Sequence, residues 1–255
     1  MDLWTSIILG IVEGFSEFLP ISSTGHLILT GRLLGLEESE FVKSFEIAIQ
    51  LGAILSVVIL YWRTLLVDRE VIKKVAVSFL PTGIIGFVLY KLIKTVLLGS
   101  SSVVLWSLLI GGIVIIFFEK FHKEKEDATE ELAEMTYRQA FLIGVFQSLA
   151  VIPGVSRSAA TIIGGLILDM KRRTIVEFSF LLAVPTMLAA TAYDLYKNGA
   201  NFSLAEYHLL VIGFITAFIV ALLSIKFLIR FVQTHTFIAF GVYRIALVIV
   251  WFVFL

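Results

Sequence analysis

Glu13 and Glu17 stand four residues apart in an apolar stretch, so on a helix their carboxylates share one face, one turn apart. Hard oxygens at that spacing suit Mg²⁺ or Ca²⁺, with water and a substrate phosphate completing the shell. The plainer reading is a pair of carboxylates that merely cap or salt-bridge, yet ionisable groups at membrane depth are costly and mark function. Pro20 and then Ser22-Ser23-Thr24-Gly25 follow. Proline suits a first helical turn and the hydroxyls suit an N-cap, so a second half-helix is expected to begin here, with its free N–H groups forming an anion site. A hydroxyl in this position either caps the helix or acts as a nucleophile. His26, one turn on, can orient a nucleophile, pass a proton or bind a metal, or can be structural.

A second cluster, Pro153-Gly154-Val155-Ser156-Arg157-Ser158, repeats the design with a guanidinium added. Its planar fork suits phosphate oxygens, and at membrane depth it must find a carboxylate or an anionic ligand. A structural salt bridge from Arg157 to Glu13 or Glu17 is the alternative. Carboxylates for a divalent cation, a hydroxyl nucleophile, a histidine and a phosphate-binding arginine together make a phosphoryl-transfer constellation.

The elements that must position these groups are apolar helices. Of 255 residues 59% are hydrophobic and 16% charged, with mean hydropathy +1.00, which leaves no room for a soluble domain of any size. Net charge is zero, so no global field points to nucleic acid, and the absence of cysteine removes disulfides and thiolate chemistry. Apolar runs at about 44–62, 75–93, 102–118, 175–193, 208–225 and 237–255 each have the length of a membrane span. Stretches 3–31 and 139–168 are apolar but broken near the middle by the two clusters. Freed backbone at that depth must line a cavity or lie within protein, which predicts half-helices that dip in and return.

Loop charge agrees. With both broken stretches re-entrant, one face collects 13 of the Lys and Arg residues and the other 5 (Arg32, Lys43, Lys91, Lys94 and Lys197), whereas spanning stretches would divide them evenly. That assignment puts both chain ends outside. No Lys or Arg precedes Arg32, so the first stretch reads as retained rather than as a cleaved signal. Gly10 and Glu13 match Gly144 and Gln147 at an offset of 134, and Pro20 and Ser23 match Pro153 and Ser156 at 133. The expected architecture is therefore an all-α polytopic membrane protein in one domain, with six transmembrane helices and two re-entrant hairpins in an inverted-topology repeat. The first repeat covers about 1–118, a charged cytoplasmic connector about 119–138, and the second repeat about 139–255.

The run Glu13-Gly14-Phe15-Ser16-Glu17-Phe18-Leu19-Pro20-Ile21-Ser22-Ser23-Thr24-Gly25-His26 resembles the first signature of the undecaprenyl pyrophosphate phosphatases, also called bacitracin-resistance proteins. Pro153-Gly154-Val155-Ser156-Arg157-Ser158-Ala159-Ala160-Thr161 resembles the second. Weaker likenesses run through Phe45-Glu46 to Gln50-Leu51-Gly52, Glu177-Phe178-Ser179-Phe180-Leu181-Leu182 and Tyr243-Arg244-Ile245. The resemblance implies a plasma-membrane enzyme that hydrolyses a polyprenyl pyrophosphate to the monophosphate on the outer side, with a divalent cation, recycling the lipid carrier of cell-wall sugars. By position it implies metal and acid–base roles for Glu13 and Glu17, Ser23 as nucleophile and Arg157 as pyrophosphate holder. His26, Ser22, Thr24, Gly25, Ser156, Ser158, Thr161 and Gln50 fall at the same site. The family usually has glycine where this chain has Ala159, which puts the fine geometry of that turn in question. Partners implied are the lipid substrate and membrane lipid, with a homodimer left open.

Three chemistries remain distinct on the sequence: attack by Ser23 with His26 or Glu17 taking its proton, attack by His26 itself, or attack by an activated water. A transporter or lipid flippase built on the inverted repeat is the reading from another class, and Arg244 either pairs with a site carboxylate or snorkels to the cytoplasmic side.

Overall fold

The computed structural model describes residues 1–37, 39–92, 100–198 and 204–254. Lys94, and the ends of the 75–93 and 237–255 runs, lie outside the described residues.

The described residues are mainly helical, and residues 122–136 form a non-helical connector. In chain order the helices are α1 Leu3–Ser16, α2 Ser23–Leu33, α3 Glu40–Leu60, α4 Trp62–Val67, α5 Arg69–Leu92, α6 Ser101–Phe121, α7 Tyr137–Gln147, α8 Arg157–Ile167, α9 Arg172–Asn198, α10 Leu204–Phe231 and α11 Ile238–Phe254. Their starts follow from local chemistry. Asp2 accepts a hydrogen bond from the Thr5 N–H at 2.8 Å, and Ser39 and Ser100 cap α3 and α6 in the same way. Thr136 and Gln139 close a reciprocal capping box on α7.

All six long apolar runs lie in helices, α3, α5, α6, α9, α10 and α11, the last of 17 residues. Segments within α3, α5, α6 and α10 are each long and apolar enough to cross a bilayer. The broken stretches emerge as two pairs of short helices, α1 with α2 and α7 with α8, of 11 to 14 residues each. At 1.5 Å per residue none of the four reaches across a hydrocarbon core of about 30 Å.

Apolar side chains cover the outside of the molecule as well as filling its core, unlike a soluble protein. Phe87, Phe117, Phe252 and Phe254 point outward, while Ser6, Glu13, Gln147, Ser179 and Arg244 are buried. These features make the chain a multi-pass helical membrane protein.

Each broken stretch packs against the far half of the chain. α1 lies along α10, and α7 lies along α5. The approach is close enough to need glycine: a Cβ on Gly10 would meet the Gly213 carbonyl at 2.7 Å, and one on Gly144 would collide with the Ser78 carbonyl. Phe18, Phe178, Phe180, Leu181 and Leu182 fill the core between the two breaks, with Phe18 edge-on to Phe180 at 5.3 Å.

Candidate active site

The chain leaves α1 at Glu17, turns through Phe18–Ile21 and re-enters a helix at Ser23. Ser22 is the cap, and its Oγ accepts from the Gly25 N–H at 3.3 Å. The second break has the same plan: a 3₁₀ turn at Ser148–Val151, then Gly154 at φ +93°, then Ser156 as the cap of α8, accepting from the Ala159 N–H at 3.2 Å. Both cap serines lie in the left-handed region, Ser22 at φ +74° and Ser156 at +75°. An L side chain adopts that conformation only where its surroundings impose it, and such strain gathers at functional sites.

The structure corrects one expected correspondence. The caps are Ser22 and Ser156, 134 residues apart, so Ser23 matches Arg157 rather than Ser156. The prolines misled by one residue, because one residue separates Pro20 from its cap and two separate Pro153 from its own. Gly10 with Gly144 and Glu13 with Gln147 already share the offset of 134.

The two breaks meet. Ser23 Oγ donates to Glu17 Oε2 at 2.5 Å, and Arg157 Nη2 donates to Glu17 Oε1 at 2.8 Å. Glu17 and Arg157 form a buried ion pair, with 1% and 9% of their side chains exposed. The other arm of Arg157 donates to the Ser179 carbonyl at 2.7 Å, and its guanidinium lies 6.0 Å over the Phe18 ring. Ser158 Oγ donates to the Phe18 carbonyl at 2.7 Å, which ties the second break to the turn of the first. Thr161 stands behind, hydrogen-bonded to Ser179 Oγ at 2.6 Å, and so steadies the residue that steadies Arg157. Ala159 is buried in the core and its N–H keeps the capping bond, so the helix accommodates its methyl.

A cavity of about 220 Å³ opens between the breaks. Glu17, Ser22, Ser23, Thr24, Ser156 and Arg157 line it, with Pro153, Gly154, Gln147, Thr82 and Thr186. A larger crevice of about 980 Å³ lies among the charged loop ends, lined by Asp68, Glu124, Lys171, Arg172, Arg173 and His235. Its cations are held by partners, Arg172 by Glu119, Arg173 by Glu177 and Lys171 by Glu124, so it offers no comparable chemistry.

Glu13 is fully buried, and neither of its carboxylate oxygens has a hydrogen-bond partner. Two orphaned carboxylate oxygens fit a hard cation. Among the described residues no group of three His, Asp or Glu side chains gathers around one point, and both Glu17 oxygens are engaged.

His26 sits apart from Ser23. Its Nδ1 donates to the Ser22 carbonyl at 2.8 Å, and because a carbonyl can only accept, Nε2 is left to accept from the Tyr243 hydroxyl, also at 2.8 Å. The two rings stack at 5.5 Å. Gly25 contributes its backbone N–H to the cap, and Gln50 lies half-buried on α3, away from the cavity lining.

Four contributors were given no role on the sequence, although Ser179 and Tyr243 lie in segments that resemble the family. Ser179 holds Arg157, Thr82 and Thr186 receive the Gln147 amide, and Tyr243 meets His26. One signal was available: Thr82 and Thr186 each follow a proline inside a long helix. Arg244 takes neither expected course. It is fully buried, forms no ion pair with a described carboxylate, and donates to backbone carbonyls of α6 and the second break.

A family model described as bacitracin resistance protein BacA matches residues 6–250. The chain is 55% identical over 251 residues to an undecaprenyl-diphosphatase of Aquifex aeolicus, covering 98% of both chains. It is 53% identical over 252 residues to one from a Sulfurihydrogenibium species, covering 99% of both, and 49% identical over 255 residues to one from Wolinella succinogenes, covering 100% of this chain and 99% of the relative. Matched from end to end and built around both signature segments, the chain belongs to the BacA bacitracin-resistance family.

Proposed function

We propose that this protein is an integral membrane phosphatase that hydrolyses undecaprenyl diphosphate to undecaprenyl phosphate and inorganic phosphate. The observation that carries the reading is the Ser23–Glu17–Arg157 chain: a hydroxyl hydrogen-bonded to a carboxylate whose other oxygen holds a guanidinium, all three lining one cavity. A pure carrier has no use for a hydroxyl presented to a base.

In the mechanism this supports, Ser23 Oγ attacks the terminal phosphorus while Glu17 takes its proton. A bond forms from Oγ to phosphorus, the bond to the bridging oxygen breaks, and the lipid monophosphate departs with the electron pair. Water then hydrolyses the phosphoserine, with Glu17 acting in reverse. Arg157 draws the phosphate oxygens and offsets charge on the transferring group. Glu13 would hold a divalent cation, Mg²⁺ or Ca²⁺, alongside water and phosphate oxygens; when bound it neutralises the pyrophosphate and polarises it toward attack.

We also read α1–α2 and α7–α8 as re-entrant hairpins of an inverted repeat, framed by six spans. The single offset of 134 and the crosswise packing of α1 on α10 and α7 on α5 support this. Loop charge favours a plasma-membrane orientation with both termini and the cavity mouth outside.

Phosphate release from undecaprenyl diphosphate by purified protein in detergent, with and without divalent cation, tests the reading. Ser23→Ala is expected to lower kcat by about 10⁴-fold and Arg157→Ala by about 10²–10³-fold. Rapid quenching of wild type should trap phosphate on Ser23. Turnover by Ser23→Ala near the wild-type rate would sink the covalent route, and no release from folded wild type would sink the phosphatase.

A further inference from the structure

Arg244 lies in the second turn of α11 with none of its surface exposed. Its Nη2 donates to the carbonyls of Gly154 at 2.5 Å, Val155 at 3.2 Å and Ser107 at 3.3 Å. Its Nε and Nη1 are buried and have no hydrogen-bond partner. Room for the guanidinium comes from Gly111, where a Cβ would meet Nη2 at 2.7 Å, Cζ at 2.8 Å and Nη1 at 2.9 Å. A permanently charged group buried in apolar surroundings without a counter-carboxylate is costly, and a chain retains it where an anion arrives to balance it.

The cavity lies directly beyond. Gly154 lines it, and the Gly154 carbonyl is what Arg244 holds. Two of the three peptide groups whose carbonyls Arg244 binds carry the N–H groups of Val155 and Ser156, at the entry to α8; the Val155 N–H donates to the Ile152 carbonyl at 3.2 Å. Hydrogen-bonding a peptide's carbonyl polarises it and makes its N–H a stronger donor. Gly154 at φ +93° and Ser156 at φ +75° show how far this backbone departs from relaxed geometry, and the same guanidinium fixes the carbonyls between them. Arg244 thus acts on the segment that presents Ser156 and Arg157.

We propose that Arg244 is a positioning residue of the pyrophosphate site: it clamps the loop that opens α8 and, from behind the cavity wall, supplies a positive charge that the substrate's phosphates balance. The inference rests on the phosphatase reading for its substrate but concerns anion binding, so it is separable from turnover.

The test compares wild type, Arg244→Lys and Arg244→Gln as purified full-length protein in detergent. Two quantities are measured: KM and kcat on undecaprenyl diphosphate, and Kd for methylenediphosphonate, a non-hydrolysable pyrophosphate mimic, from ligand-induced thermal shifts. Lysine keeps the charge, and glutamine keeps donors without it. Arg244→Lys is expected to hold KM and Kd within about threefold of wild type, and Arg244→Gln to raise both by about tenfold or more, with kcat falling less than kcat/KM. Wild-type Kd in Arg244→Gln, or equal impairment in both variants, overturns the proposal, since a clamp of shape alone does not distinguish charge from its absence. Where Arg244→Gln does not fold, Arg244→Lys decides: a Kd within threefold supports the role, and a loss beyond tenfold overturns it. A wild type that binds the mimic yet releases no phosphate removes the phosphatase reading and leaves the comparison of Kd values intact.

Discussion

Glu17 commits one carboxylate oxygen to Ser23 and the other to Arg157, whereas His26 is turned away toward Ser22 and Tyr243. That division bears on which group accepts the proton. A glutamine at 17 keeps the shape but cannot take a proton, so Glu17→Gln is expected to lower kcat by about 10²–10⁴-fold with KM changed much less. His26→Gln, which keeps a hydrogen-bonding side chain, is expected to lose no more than about tenfold. Steady-state kinetics on both variants, with melting temperature as a check on folding, decides the matter. A larger loss in His26→Gln would return the histidine to the role of base. The carboxylates, serines and arginine were legible because charged and hydroxyl side chains in apolar helices are conspicuous. The role of Ser179 was not legible, since one serine in an apolar helix carries no sign of which distant guanidinium its carbonyl will receive.

The six helices were readable as apolar runs because each carries apolar side chains both buried in the core and exposed on the outside. Their ends were less readable: α10 runs on to Phe231, and α9 begins at Arg172, where a polar turn extends the helix beyond the apolar window with Glu119 and Glu124 as partners. α4 gave no periodic signal in its six residues. Contacts between helices were also hidden, since close approach depends on which glycines face each other. Gly52 of α3 abuts the Phe214 backbone of α10, whereas Gly31 of α2 has nothing nearer its would-be Cβ than Leu36 at 3.9 Å. Gly52→Ala must therefore push two helices apart and is expected to cost about 1–3 kcal/mol. Gly31→Ala is expected to be neutral or to stabilise by about 0.5–1 kcal/mol. Thermal unfolding in one detergent ranks the two, and a reversed order would show that the α3–α10 contact yields more easily than its geometry indicates.

At the scale of the whole molecule, the end of α6, the start of α9 and the entry to α11 are locked at one point. Arg172 makes a two-armed bond to Glu119 at 2.7 and 2.9 Å, and Glu119 also accepts from the Phe237 N–H at 3.1 Å. The Glu119 side chain is 1% exposed, so its removal leaves the guanidinium uncompensated in a partly buried setting. Glu119→Ala is expected to cost about 3 kcal/mol, seen as a melting temperature lowered by about 5–10 °C for a chain of this size. The cavity is built from other residues, so kcat per folded molecule should stay close to wild type; a lost kcat with unchanged melting would instead tie this lock to catalysis.

The Glu17–Arg157 pair joins residues 140 positions apart, and this has a consequence for biosynthesis. A ribosome adding about 5–20 residues per second takes on the order of 10 s to pass from one partner to the other. Throughout that interval the first hairpin carries Glu13 and Glu17 without the guanidinium that will compensate Glu17, in a medium where unpaired charge is costly. Order of synthesis thus sets an order of charge pairing: Glu17 gains its guanidinium only once α8 has emerged, while α9, α10 and α11 are still to follow.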